Sequence, residues 1–136
     1  MPNKSTIRKA KEDLREGKSA STAAGEFVHE EIEHVRQGKH GARSPQQAIA
    51  IGLNEARRAG VPLPPPKRGR TSRKTRKSAE RAYEKGQHGA KKPSGKRSRA
   101  REKALKREPR SSASHRALSK QARASWRRRR RAARRS

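Results

Sequence analysis

The sequence predicts a mainly α protein: a small helical hairpin module of two to three helices, then a long, largely disordered polybasic tail with helix-prone segments. Three observations predict it. Before position 60, apolar residues recur at three- and four-residue spacing. A stiff, proline-rich stop follows at Val61-Pro62-Leu63-Pro64-Pro65-Pro66. The charge then changes abruptly. Residues 1–66 hold 11 Lys/Arg against 8 Asp/Glu, a net +3, whereas residues 67–136 hold 29 against 4, a net +25. The expected organisation is an N-terminal basic segment with a short helix over 1–22, the hairpin over 23–60, the linker over 61–66 and the tail over 67–136.

The first helix is expected from about Thr6 to Glu16, where Ile7, Ala10 and Leu14 share a face and Gly17 ends the run. It is short enough to need a docking surface. The second is expected from about Ala23 to Gln37. Val28, Ile32 and Val35 form its stripe, Phe27 lies beside them, and Glu26, Glu30, Glu31 and Glu33 occupy the other faces. Gly38 suits the C′ position. The third has the clearest start: Ser44 as N-cap, Pro45 at the first helical position and Gln47 completing a capping box. Ala48, Ile49, Ile51, Leu53 and Ala56 follow, and Gly60 ends it. Gly52 in mid-helix costs about 1 kcal/mol relative to Ala, and close approach of the second helix would explain it. Val61 and Leu63 are placed to close the open end of this core. The short connection Gly38–Arg43 suits an antiparallel pair.

Past the prolines, three short helix-prone stretches are expected: Ser78 to Lys85 with Tyr83, Ser98 to Arg107 with Leu105, and Ser112 to about Arg131 with Leu118, Ala122 and Trp126. None has an apolar stripe wide enough to fold alone, and like charges oppose each. Helix is expected there only when phosphates neutralise the charge.

Composition narrows the function classes. The chain of 136 residues is 26% hydrophobic and 2% aromatic, with a net charge of +28. High charge with little apolar surface is the signature of disorder. Without cysteine there is no disulfide, thiolate metal site or cysteine nucleophile. No apolar run approaches a membrane span, and MPNKSTIRKAKEDL lacks the apolar core of a secretory signal. The expected setting is cytoplasmic, next to a polyanion.

Catalytic and metal motifs are missing from the sequence pattern. His29 and His34 flank Glu30-Glu31-Ile32-Glu33 at i+5, where a helical zinc pair needs i+4 to reach one metal. A solvated helix face is the better reading of that stretch. No metal, no cofactor and no enzymatic activity are expected.

One block occurs twice. Gly38-Lys39-His40-Gly41-Ala42-Arg43-Ser44-Pro45 returns as Gly86-Gln87-His88-Gly89-Ala90-Lys91-Lys92-Pro93, both fitting G-x-H-G-A-[KR]-x-P. Duplication explains this better than chance. His40-Gly41 and His88-Gly89 suit tight helix-to-helix turns. The same loops, with Arg43 or Lys91-Lys92 and the next helix N-terminus, could also hold a phosphate.

The basic runs are the strongest signal. The nucleic-acid-binding candidates are Arg43; Lys67, Arg68, Arg70, Arg73, Lys74, Arg76 and Lys77; Lys91, Lys92, Lys96, Arg97 and Arg99; and Arg127, Arg128, Arg129, Arg130, Arg131, Arg134 and Arg135. Arginine favours bidentate phosphate contacts. Duplex DNA carries one charge per roughly 1.7 Å, so the tail matches about 42 Å of duplex. No zinc finger or RNP-type aromatic pattern is present, so binding should be sequence-tolerant.

The run His40-Gly41-Ala42-Arg43-Ser44-Pro45-Gln46-Gln47-Ala48-Ile49-Ala50-Ile51-Gly52-Leu53, continuing to Arg57-Arg58-Ala59-Gly60, resembles a family of small basic bacterial proteins labelled "DNA-binding protein", whose central helical domain has no known function. The resemblance covers roughly residues 4–66. It implies an intracellular, nucleoid-associated role and brings no catalytic residues. The second half is similar in composition to histone-like tails. The expected function is therefore non-enzymatic, largely sequence-independent DNA binding through Lys/Arg–phosphate contacts, with possible self-association through the hairpin. The alternatives are an RNA- or ribosome-binding basic protein, or a protein–protein assembly module that uses the acidic second helix.

Overall fold

A computed structural model describes residues 2–89 and 94–135. Six α-helices follow in order: α1 Lys4–Arg15, α2 Ala20–Arg36, α3 Pro45–Arg58, α4 Arg73–His88, α5 Gly95–Lys106 and α6 His115–Arg135. A 3-10 turn, Ser111–Ala113, precedes α6. The expected disordered tail is overturned, because α4, α5 and α6 take up most of its described residues. Lys91 and Lys92 lie outside the described residues.

Serine sets most of the helix starts. Ser19, Ser44, Ser72 and Ser94 each accept the backbone N–H three residues on, at 3.2 Å. Ser114 does the same for Ala117 at 3.1 Å. Each satisfies a donor that the first helical turn leaves free. Helix α2 therefore begins at Ala20, a turn before Ala23. Likewise α4 and α5 begin before Ser78 and Ser98, and α6 begins after Ser112. At α3 the Gln47 side chain reaches back one residue further than a capping box, to the Arg43 N–H at 2.6 Å.

Helix α2 is the centre of the packing, with α1 on one side and α3 on another. Phe27 joins Ala10, Ala23, Ala24, Ala56 and Val61 in one buried cluster, with Ile7, Leu14, Leu53 and Leu63 around it. Val61 and Leu63 close this core as expected. At Gly52, a Cβ would sit 2.7 Å from Val28 Cα, so the α2 and α3 backbones meet where no side chain fits. That close approach is the reason for a glycine in mid-helix.

The second half is drawn in by small residues. Ala79 and Ala82 of α4 are buried, and α4 lies along α3. At Gly86 a Cβ would fall 1.7 Å from the Arg57 carbonyl oxygen. Ala113 is buried with Val35, Ala42 and Ala48 in a second cluster. Among the described residues, nine of the thirteen buried hydrophobic side chains are alanine. An emphasis on large aliphatics overlooks such packing, although close fitting of small residues still removes apolar area from water. Alanine, lysine and arginine also favour helix intrinsically.

Two arginines serve as straps. The buried Arg57 guanidinium donates to Asn54 Oδ1 (2.9 Å) and to the carbonyls of Leu63 and Pro64 (both 3.2 Å), which ties the proline segment to α3. Arg36 Nε donates to the Ala113 carbonyl at 2.9 Å, and Arg110 returns a bond to the Arg36 carbonyl.

The repeated block takes two conformations. Gly38–Arg43 forms the connection between α2 and α3, whereas Gly86, Gln87 and His88 are the last turn of α4. The helix expected to end at Lys85 instead continues through Gly86, because that glycine lets α4 cross Arg57 closely.

Candidate nucleic-acid interface

The expected phosphate-binding residues sit as follows. Arg43 is exposed between α2 and α3, and Lys67, Arg68 and Arg70 are exposed before α4. Arg73, Lys74 and Lys77 are exposed on α4, while Arg76 is half-buried and faces Glu80 at 3.8 Å. Lys96, Arg97 and Arg99 are exposed on α5, which buries no residue. Arg127 to Arg131, Arg134 and Arg135 are exposed on α6. These cations are distributed over three helices and two connecting segments.

Helix α6 has two parts. Along its first three turns Ala117, Leu118, Gln121, Ala124 and Ser125 are half-buried. Their spacing marks the face resting on the protein. From Trp126 to Arg135 every residue is exposed. Seven of those ten are arginine and none is acidic. Arg130 lies over the Trp126 ring, 4.8 Å from its centroid. Trp126 is itself 50% exposed. Arg116, Lys120 and Arg123 extend the arginines toward the start of α6 with helical spacing. These three were not among the expected phosphate ligands, although their spacing is plain in the sequence.

The His40 loop is committed inward. Its Gly41 and Ala42 N–H groups donate to the carbonyls of Leu105 (2.9 Å) and Pro109 (3.1 Å). A Cβ on Gly41 would meet the Glu108 oxygen at 1.8 Å. Gly41 and Ala42 are buried, so these amides hold the last turn of α5 and the segment after it, and are not offered to a phosphate. His88 is exposed and faces Glu84 at 3.4 Å. Gly89 beside it has a φ of 80°, which suits glycine.

Beneath the loop, α2 turns charged groups inward, so the expected solvated face is corrected. Glu30 and Glu31 are buried. The Asn3 N–H donates to Glu30 Oε1 at 2.7 Å, and His34 Nε2 is 3.5 Å from the same oxygen. His40 Nε2 lies 2.8 Å from Glu31 Oε1. The exposed His29 takes no part in these pairs. Sequence spacing could not find the pairing of Glu31 with His40, because it crosses from a helix to a loop.

Burial pushes the carboxyl of the half-buried Glu55 up to about 7, helped by the charges of Glu31 and Glu30 and opposed by Arg101. Burial pushes His34 below its ordinary value despite the same two glutamates. For Glu55 the fold favours the protonated form, so its contribution is full below pH 4.5 and is lost as pH rises through about 7. His34 has the opposite sign. Its neutral ring contributes above 6.5, and this is lost as pH falls through its lowered folded value. Glu55→Gln should therefore stabilise the protein by up to about 3 kcal/mol at ~pH 8 and have almost no effect near ~pH 4.5. Urea unfolding at the two pH values checks this, and equal effects at both would refute it.

Residues 3–68 match the profile of a family of unknown function (DUF6496). That span covers α1 to α3 and the proline segment, close to the 4–66 expected from resemblance. It supports an uncharacterised helical domain and attaches no DNA-binding label. No curated protein and no solved structure matches the chain. Among the described residues, no helix is long and apolar enough to cross a membrane.

Proposed function

We propose that this is a non-enzymatic, sequence-tolerant DNA-binding protein that holds duplex DNA through Lys/Arg–phosphate contacts, chiefly those of α6. The exposed, acid-free arginine end of α6 carries the reading. Ten helical residues span about 15 Å. That length of duplex presents about nine phosphate charges, close to the seven arginines available. The B-DNA major groove admits an α-helix. Arginines on all sides of the helix address both phosphate walls more readily than one base edge, which favours tolerance over base reading. A nucleoid-associated role follows from this reading.

DNA is preferred to RNA on the same ground, since the deep, narrow major groove of A-form RNA does not admit side chains. The assembly reading is weakened, because Glu30 and Glu31 are buried and only Glu26 and Glu33 keep part of the acidic face at the surface. The test is a fluorescence anisotropy titration of the full chain with random duplex DNA and matched duplex RNA at two salt concentrations. Ten phosphate contacts predict a log–log salt slope near about −9. A slope near zero, or a clear preference for RNA, would overturn the proposal.

A further inference from the structure

Glu31, His34 and His40 bring one ligand atom each to within 4.8 Å of one another. Two come from α2 and one from the loop between α2 and α3. All three are shielded: Glu31 is buried, and the His34 and His40 side chains are 15% and 13% exposed. We propose that these three side chains form a site for a divalent transition metal of the zinc class.

The groups around the three side chains support this independently. His40 Nδ1 lies 2.8 Å from the Gly41 carbonyl oxygen, which can only accept, so Nδ1 carries the proton. That orients the ring with Nε2 toward Glu31, as a backbone carbonyl does for metal-bound histidines. Glu30 adjoins His34 through Oε1, while its Oε2 is buried without a hydrogen-bond partner. A metal beside His34 would place positive charge close to that carboxylate.

The ligand chemistry selects the ion. Two imidazoles and one carboxylate, with no cysteine in the chain, suit zinc and its neighbours better than calcium or magnesium. Ligands on one tetrahedral zinc at about 2.0–2.1 Å lie about 3.4 Å apart, so a pair at the 4.8 Å limit would close by about 1.4 Å and the Glu31–His40 pair, now at 2.8 Å, would open slightly. On binding, the Glu31–His40 hydrogen bond would be replaced by two bonds to the metal, and its proton would be released to solvent. The ion would staple the 38–43 loop to α2. Because the loop amides hold Leu105 and Pro109, that staple would also stiffen the junction between the two halves of the chain.

The test uses the full, untagged chain, stripped of metal by chelation and freed of nucleic acid, with zinc and cobalt(II) alone as probes. One equivalent of zinc should bind, and cobalt(II) should give the visible absorption of a tetrahedral nitrogen–oxygen site. His40→Gln and His34→Gln should each weaken zinc binding at least about 100-fold, while His29→Ala leaves it unchanged. Circular dichroism establishes that each variant is folded. Should a variant fail to fold, the unaltered chain still decides. No stoichiometric zinc and no cobalt band would mean that the cluster is an ion pair only. Binding that survives His34→Gln and His40→Gln would place the metal elsewhere. Either result overturns the proposal.

Discussion

Gly52→Val is expected to destabilise the protein by about 3 kcal/mol, whereas Gly25→Ala is expected to stabilise it by about 1 kcal/mol. Both glycines lie inside helices, so helix propensity alone predicts a gain at each. Their surroundings separate them. A Cβ at Gly52 meets the α2 backbone, at 2.7 Å from Val28 Cα and 3.0 Å from Val28 N. Backbone cannot rotate aside as a side chain can, so α3 must move off α2 and open the packing around Phe27. A Cβ at Gly25 meets nothing within 4 Å. Thermal unfolding of both variants checks the pair, with a fall of about 10 °C for the first. A stabilised Gly52→Val variant would mean that the two helices are further apart than described.

Replacing Arg127 to Arg131 with glutamine should make the DNA salt slope shallower by about 4 to 5, at about 0.9 for each phosphate left without its cation. Glutamine has nearly the helix propensity of arginine, so α6 should keep its conformation while losing its charge. The same exchange at Lys96, Arg97 and Arg99 of α5 removes three cations and should reduce the slope by less than about 3. Titration of the three proteins against one duplex at several salt concentrations measures the difference. Equal slopes for the α6 variant and the unaltered chain would remove α6 from the interface. Substitution is preferable to deleting residues 67–136, because deletion would strip α4 from α3 and expose the surface that Ala79, Ala82 and Gly86 cover.

The first half was legible where side chain and backbone rules agree. Ile7, Ala10 and Leu14 marked α1, and Ser44-Pro45 marked the start of α3. Gly52 marked a close approach before any partner was visible. The second half was misread because its packing uses alanine and glycine, residues that carry little periodic signal. The serine caps at Ser72, Ser94 and Ser114 were present in the sequence, and attention to them would have corrected three helix starts. The repeated block shows the limit of local pattern. Gly38 and Gly86 have similar flanks, yet one ends a helix and the other lies within one, because only Gly86 faces the Arg57 carbonyl. The Glu31–His40 pair needed the tertiary fold, since its partners are nine positions apart on different elements. Most candidate cations were legible, because solvated charge needs no partner to be recognised, whereas the half-burial of Arg76 against Glu80 was not.

The hydrogen bond between Arg36 and Ala113 joins positions 77 residues apart in the chain. Most helical proteins assemble quickly because their contacts are local, and loop closure slows those whose contacts are distant. Here α1 to α3 can meet early, but the hollow beside Val35 stays open until the segment carrying Ala113 arrives. During synthesis, that segment leaves the ribosome only after α4 and α5 have been made. The interval leaves Val35, Ala42 and Ala48 exposed to other chains, and it ends when a single alanine docks.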